Sequence, residues 1–287
     1  MKKKSKVNPP TRARHRHRKN LRKKRLKVLL LVLLALALGT GFLLKEKITL
    51  YIATYVQPFE HKHLKNSPTE QERIERIISH HADQTFGIDL SHYQNPEDLM
   101  WDSLNIGHGT IPIEFVILRA TMGSNGKDKN FSEFWALAAQ KDKLRGAYHF
   151  YRPDEDPIKQ AAQFLETVQL APGDLAPVLD IERHPHRISK KQLRKNLQIF
   201  LDILEQRYHV KPILYTYYHY YNDYLEKDFA QYPVWLANYN DVLVPHEKIS
   251  WAIWQFTENG IVHGINTKVD LNVFNGSLRA MEELTVQ

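Results

Sequence analysis

The sequence predicts an α/β protein in which eight strands close into an irregular barrel behind a single N-terminal transmembrane helix. Three observations predict it. Short runs rich in β-branched and aromatic residues recur eight times from residue 86 onward. Helical patterns separate the early runs, and strands that alternate with helices imply a mainly parallel sheet. An uncharged apolar run of 17 residues, 28–44, begins directly after the basic cluster Arg22, Lys23, Lys24, Arg25 and Lys27. Eight strands in this order suggest a TIM-like (β/α) barrel, with its active site at the carboxyl ends of the strands. A doubly wound open sheet is the structural alternative.

From the N-terminus, residues 1–27 hold 14 of the 40 lysines and arginines and no acid, so the other 26 basic residues face 32 acidic ones and the body is net negative. A body of that sign argues against a phosphate-binding surface, and no nucleic-acid partner is expected. By the positive-inside rule the tail stays cytoplasmic and everything after Lys45 is exported, to the periplasm or the cell surface. At ~1.5 Å per residue, residues 28–44 span ~26 Å, enough to cross a bilayer with Lys27 and Lys45 snorkelling to its interfaces. Ala35-Leu36-Ala37 resembles a leader cleavage site, yet the apolar run continues past it to Leu44. An uncleaved signal anchor held in the lipid bilayer is therefore favoured over a cleaved leader or a buried core helix. Residues 45–84 read as a stalk or amphipathic lead-in, helical around residues 70–80, and residues 85–287 as the barrel. The chain has no cysteine, which excludes disulfides, thiol nucleophiles and Cys-ligated metals.

The strand-like runs are 86–90, 115–119, 146–150, 176–182, 212–216, 234–239, 251–256 and 269–274. Helical patterns cover 131–142, 157–170, which a proline opens, and 189–208, which a capping serine opens. The gaps 240–250 and 257–268 are too short for full helices. The expected barrel therefore has about five β/α units followed by three strands joined by loops.

Side chains alternate along a strand, so Asp180 and Glu182 share one face while Leu179 and Ile181 take the other. Neighbouring like charges raise the pKa of one partner, which keeps a carboxylic acid protonated near neutrality and able to donate to a leaving oxygen. Glycosidic cleavage needs such an acid. Asp89 in the first run and Asp270 in the last occupy comparable places, and first and last strands are neighbours in a closed barrel. No metal or other cofactor is expected, because hard-metal sites recruit more oxygen ligands and transition metals recruit histidine. The pairs His80-His81 and His184/His186 lie in loop or linker contexts. His149 reads equally as a hydrogen-bonded structural residue or a substrate contact. Tyr148, Tyr151, Tyr217, Trp235, Tyr239 and Trp254 crowd the strand ends, where aromatic faces can pack on sugar rings.

These residues resemble the family 25 glycoside hydrolases, the Chalaropsis-type lysozymes, from about Phe86 to Phe274. The pattern is Gly87-Ile88-Asp89-Leu90-Ser91 with Gln94; Ala120-Thr121 with Gly123, Asp128 and Phe131; residues 146–150; Asp180-Ile181-Glu182; residues 235–239; Trp254-Gln255; and residues 269–272. The resemblance implies a (β/α)5(β)3 barrel that cleaves the β-1,4 bond between N-acetylmuramic acid and N-acetylglucosamine in peptidoglycan glycan strands. It implies Glu182 as general acid, Asp180 as the carboxylate that stabilises developing positive charge, and Asp89 and Asp270 as supporting acids. Gln255 joins the substrate-binding set. Met122 departs from the family pattern, which often has Glu there, and removes a charge near the cleft. A silent glycan-binding scaffold, or hydrolysis of another N-acetylhexosamine polymer such as chitin, remains as the alternative.

Overall fold

The computed structural model describes residues 64–287 and, apart from them, Lys27. The expected membrane segment 28–44, the basic tail other than Lys27 and the first part of the lead-in lie outside the described residues. Among the described residues, no helix is long and apolar enough to cross a membrane.

Eight strands form the barrel: β1 Thr85–Leu90, β2 Phe115–Met122, β3 Leu144–Phe150, β4 Val178–Asp180, β5 Ile213–Tyr217, β6 Val234–Ala237, β7 Ile253–Gly260 and β8 Val269–Phe274. Each pairs with the next in chain order, and β1 pairs with both β2 and β8, which closes the sheet. The open-sheet alternative is thereby excluded. Strands β1 to β7 are parallel, whereas β8 runs antiparallel to both of its neighbours. The short loop after β7 dictates this reversal, because a parallel return would need a crossover of a dozen or more residues.

Full helices fill only three crossovers: α2 Phe131–Gln140, α3 Pro157–Thr167 and α4 Lys190–Tyr208. Their starts follow the sequence signals. The Asp156 carboxylate accepts from the Ile158 and Lys159 N–H groups at 2.8 and 3.1 Å with Pro157 at the first turn, and Ser189 Oγ accepts from the Gln192 N–H at 3.2 Å. The fifth crossover holds only short helical turns between Tyr218 and Phe229. The first has no α-helix at all. Pro96 and the left-handed Gly107, His108 and Gly109 break that segment into 3-10 turns and a two-residue hairpin.

Strand alternation sorts the core into two compartments. Phe115, Ile117, Val178, Ile213, Trp235, Ile253 and Phe274 pack inside the barrel. Val116, Leu118, Leu179, Leu214, Leu236 and Leu271 face outward under the helices, against Phe134, Phe164, Leu197 and Phe200. Inside, the Phe115 ring lies over its register partner Gly87, where an added Cβ would meet it at 2.4 Å.

The described part of the expected lead-in, from residue 64 on, is docked to the barrel. Helix α1, Pro68–His80, buries Ile74, Ile77 and Ile78. Its Arg73 donates to the Phe256 carbonyl at 2.9 Å and pairs with Glu70, which accepts from Thr257 Oγ1 at 2.9 Å. Asn66 Nδ2 donates to the Asn259 carbonyl at 2.9 Å, so the chain enters the barrel beside the end of β7.

Gly87→Ala is expected to lower unfolding stability by about 1–3 kcal/mol, because the Phe115 ring must leave its site. A urea titration of both proteins checks this.

Candidate active site

The reversal of β8 places its first residues at the carboxyl ends of the other strands. Asp270 there pairs in register with Asp89, near the end of β1. Asp89 is 7% exposed, and its Oδ2 accepts from Asn272 Nδ2 and Gln255 Nε2, both at 2.8 Å. Each donor is itself oriented. Asn272 Oδ1 accepts from Trp235 Nε1 at 2.8 Å, and Gln255 Oε1 accepts from the Tyr215 hydroxyl at 2.7 Å and from the Tyr239 hydroxyl. Two amides and three aromatic side chains thus converge on one buried carboxylate, which forms the floor of the site.

Asp180 ends β4, and Glu182 lies two residues on, past the regular strand. The chain stays extended there because the Ile181 N–H donates to the Tyr215 carbonyl at 3.0 Å and Thr216 Oγ1 donates to the Ile181 carbonyl at 2.6 Å. Alternation therefore continues to Glu182. Both acids line one cleft of about 710 Å³, together with Asp89, Asp270, Tyr148, Tyr215, Tyr217, Trp235, Tyr239 and Gln255.

Burial is the main force on the four carboxyls. It raises Asp180 well above the ordinary range, with the neighbouring Glu182 and Asp89 adding to the rise and Arg119 opposing it. Glu182 is also raised by burial, with the adjacent Tyr215 hydroxyl opposing the rise. Asp270 is pushed up to about 9 by burial and by Asp89, to which it is hydrogen-bonded. Burial raises Asp89 as well, and the Asn272 and Gln255 donors oppose it. Of this pair, Asp270 is therefore the member that keeps its proton. Asp180 Oδ1 is, among the described residues, the one buried carboxylate oxygen with no hydrogen-bond partner.

The structure divides the aromatic candidates by strand face. Tyr148, Tyr217 and Tyr239 line the cleft, with Tyr217 39% exposed and edge-on to Tyr239 at 6.2 Å. Trp235 reaches the cleft only as floor, at 2% exposure. His149, Tyr151 and Trp254 do not line it, against the expectation for Tyr151 and Trp254, whereas His149 takes the structural one of its two readings. His149 follows Tyr148 and so faces outward, bonded to Thr121 Oγ1 at 2.7 Å and Gln160 Oε1 at 3.1 Å, with burial holding its pKa down at about 4. Tyr151 packs against Phe200. Trp254 precedes Gln255, points outward, and donates to the Asn238 carbonyl at 2.8 Å.

Several residues of the site, lining the cleft or lying beneath it, escaped the sequence reading. Tyr215, Asn272 and Phe150 lie two residues from Tyr217, Asp270 and Tyr148, so alternation alone reaches them. Arg119 lies two residues after the inward Ile117 and is held by the buried Asp128, Nε to Oδ2 at 2.9 Å. A register shift between Arg119 and Thr121 turns Thr121 outward to His149 and returns Met122 to the cleft. That bulge has no sequence signal.

The Asp270 proton carries a stability signature. Folded, Asp270 keeps its proton up to about 9; unfolded, an aspartate loses it near ~3.9. Folding takes up a proton between those values, so this group's contribution is intact at low pH and is lost as pH rises towards 9. Asp270→Asn is therefore expected to gain stability relative to the natural chain as pH goes from 4 to 9. Urea unfolding across that range measures it, and a constant difference would contradict the assignment.

Comparison with known proteins agrees with this geometry. Residues 88–265 match the profile described as glycosyl hydrolases family 25. The uncharacterized protein YegX of Escherichia coli K12 is 32% identical over 239 residues, covering 83% of this chain and 86% of that one. Lysozyme M1 of Streptomyces globisporus is 30% identical over 209 residues, covering 67% of this chain and 68% of that one. The crystal structure of the bacterial lysozyme from Streptomyces coelicolor matches with a TM-score of 0.63 at 29% identity, over 70% of this chain and 97% of that one. A closed eight-stranded barrel with its acids gathered at one mouth, a profile match across most of the barrel and relatives of this extent lead to one assignment: the chain belongs to the family 25 glycosyl hydrolases and is a glycoside hydrolase.

Proposed function

We infer that the chain is a membrane-tethered muramidase that hydrolyses the β-1,4 bond between N-acetylmuramic acid and N-acetylglucosamine. The observation that carries this reading is the pair Asp180 and Glu182, facing one cleft with both carboxyls raised by burial. The half-buried Glu182 is the general acid: it holds its proton above the ordinary carboxylate range and delivers it to the leaving oxygen. Asp180 answers the positive charge that develops on the sugar carbon. In the resting site Glu182 and Asp89 favour its neutral form; a cation beside it reverses that balance, so its ionised form is stabilised most in the transition state.

The unpartnered Asp180 Oδ1 adds a second role. An amide N–H on the sugar's 2-position supplies the donor this oxygen lacks. That bond would hold the acetamido group against the reacting carbon, with its oxygen placed to attack as the leaving bond breaks. Tyr217 and Tyr239 offer ring faces and hydroxyls to the flanking sugars. The tether reading is supported by the run 28–44 and its basic flank, the pattern that the positive-inside rule associates with an exported body.

Glu182→Gln is expected to lower muramic-acid reducing-end release from peptidoglycan by at least ~10²-fold. On an aryl glycoside whose leaving group departs without a proton, most of that loss should disappear. An equal loss on both substrates would make Glu182 a structural residue, and no release by the natural chain at any pH would leave a silent glycan-binding scaffold. In cell fractionation the whole chain should sediment with membranes after an alkaline wash, and deletion of residues 1–44 should release it. A whole chain found in the soluble fraction would remove the tether.

A further inference from the structure

The acids form the floor of the cleft, but its edge has the opposite charge. Past the bulge, β2 ends at Met122, turns at Gly123 and returns as the two-residue strand Gly126–Lys127, paired antiparallel on Thr121 and Met122. Asp128 pins this lip from within. Its side chain is 1% exposed and accepts from Arg119 Nε and the His92 N–H, both at 2.9 Å, and from the Asn130 N–H at 3.0 Å. With Asp128 committed inward, its neighbours Lys127 and Lys129 are exposed and line the cleft.

Among the described residues neither lysine has a carboxylate partner. Arg183, directly after Glu182, also lines the cleft without one, its guanidinium 5.0 Å from the Phe150 ring centre. The three cations follow β2 and β4, which flank β3, whereas the exposed Glu258 rises from β7 across the barrel. The cleft is therefore acidic below, cationic along its β2–β4 side and acidic opposite.

A neutral glycan makes no use of such an edge. An anionic substituent does: the floor repels it, and one cationic side gives it a single place to lie. Every second sugar of a peptidoglycan strand carries an acidic substituent. An edge that captures it fixes which of the two alternating glycosidic bonds lies at Glu182. We propose that Lys127, Lys129 and Arg183 form a carboxylate-binding edge that recognises the acidic substituent of the glycan and sets the register of cleavage. This rests on the muramidase reading above. The carboxylate has two sources, the lactyl group itself or a peptide attached through it.

The full chain and its Lys127→Gln/Lys129→Gln variant are compared on three sets of soluble glycan fragments. One retains its peptides, one has them removed so that the lactyl carboxylate is free, and one has every carboxylate converted to an amide. Binding of the same sets is measured with Glu182→Gln protein, with and without the lysine changes. Exposed charge contacts are individually modest and screened, so the variant's KM on the favoured anionic set should rise about five- to tenfold at low salt, with kcat within about twofold. The variant should also lose the distinction between anionic and amidated fragments, and Lys127→Arg/Lys129→Arg should retain it. The anionic set with the larger change identifies the source. Equal KM for both proteins on all sets, or an equal rise on the amidated set, overturns the proposal. Charge-dependent binding without any turnover overturns the hydrolase reading alone.

Discussion

The buried carboxylate of Asp89 is the constraint on which the rest of the site depends. It lies on the first strand, yet its hydrogen bonds come from the seventh and eighth, through Gln255 and Asn272. The same contacts close the barrel and lay the floor of the cleft. A buried acid without these donors would be a heavy liability. With them, it orients two amides, which in turn fix Tyr215, Tyr239 and Trp235. The floor is thus pre-organised before any sugar arrives, which is what electrostatic catalysis asks of a site.

Crowding of four acids then sets the chemistry. Once Asp89 takes two donors, Asp270 beside it holds the proton, and burial, reinforced by the nearby charge, pushes Asp180 and Glu182 upward in turn. Position decides what each does with the result. Asp180 sits deeper than Glu182, with a bare oxygen, and suits a role in answering charge. Glu182 lies one step beyond the strand, less buried and beside the tyrosine hydroxyls, and suits proton delivery. The difference comes from two residues of chain path rather than from the identity of the acids.

Much of this was legible in the sequence because period two is a strong signal. The eight strand runs, their order and the common face of Asp180 and Glu182 follow from alternation alone. The same rule, applied more strictly, separates Tyr148 from His149 and Gln255 from Trp254; crowding of aromatics near strand ends overrode it and sent Tyr151 and Trp254 to the wrong face. Other features had no local signal. The antiparallel eighth strand shows only as a loop too short to cross over, the bulge that returns Met122 to the cleft leaves no mark, and the docking of α1 depends on the distant Phe256 and Thr257. The missing helix in the first crossover was partly visible in Pro96, Gly107 and Gly109.

Burial and mutual repulsion keep the cleft carboxyls protonated above the ordinary range, and the direct measurement of this is a pH titration of the Asp and Glu side-chain carboxyl carbons by NMR. One proton should stay on the Asp89–Asp270 pair well above pH 7, with Asp180 and Glu182 titrating above the ordinary range and shifting downward when Asp89 is replaced by Asn. Four carboxyls that all titrate near ~4, independently of one another, would contradict it.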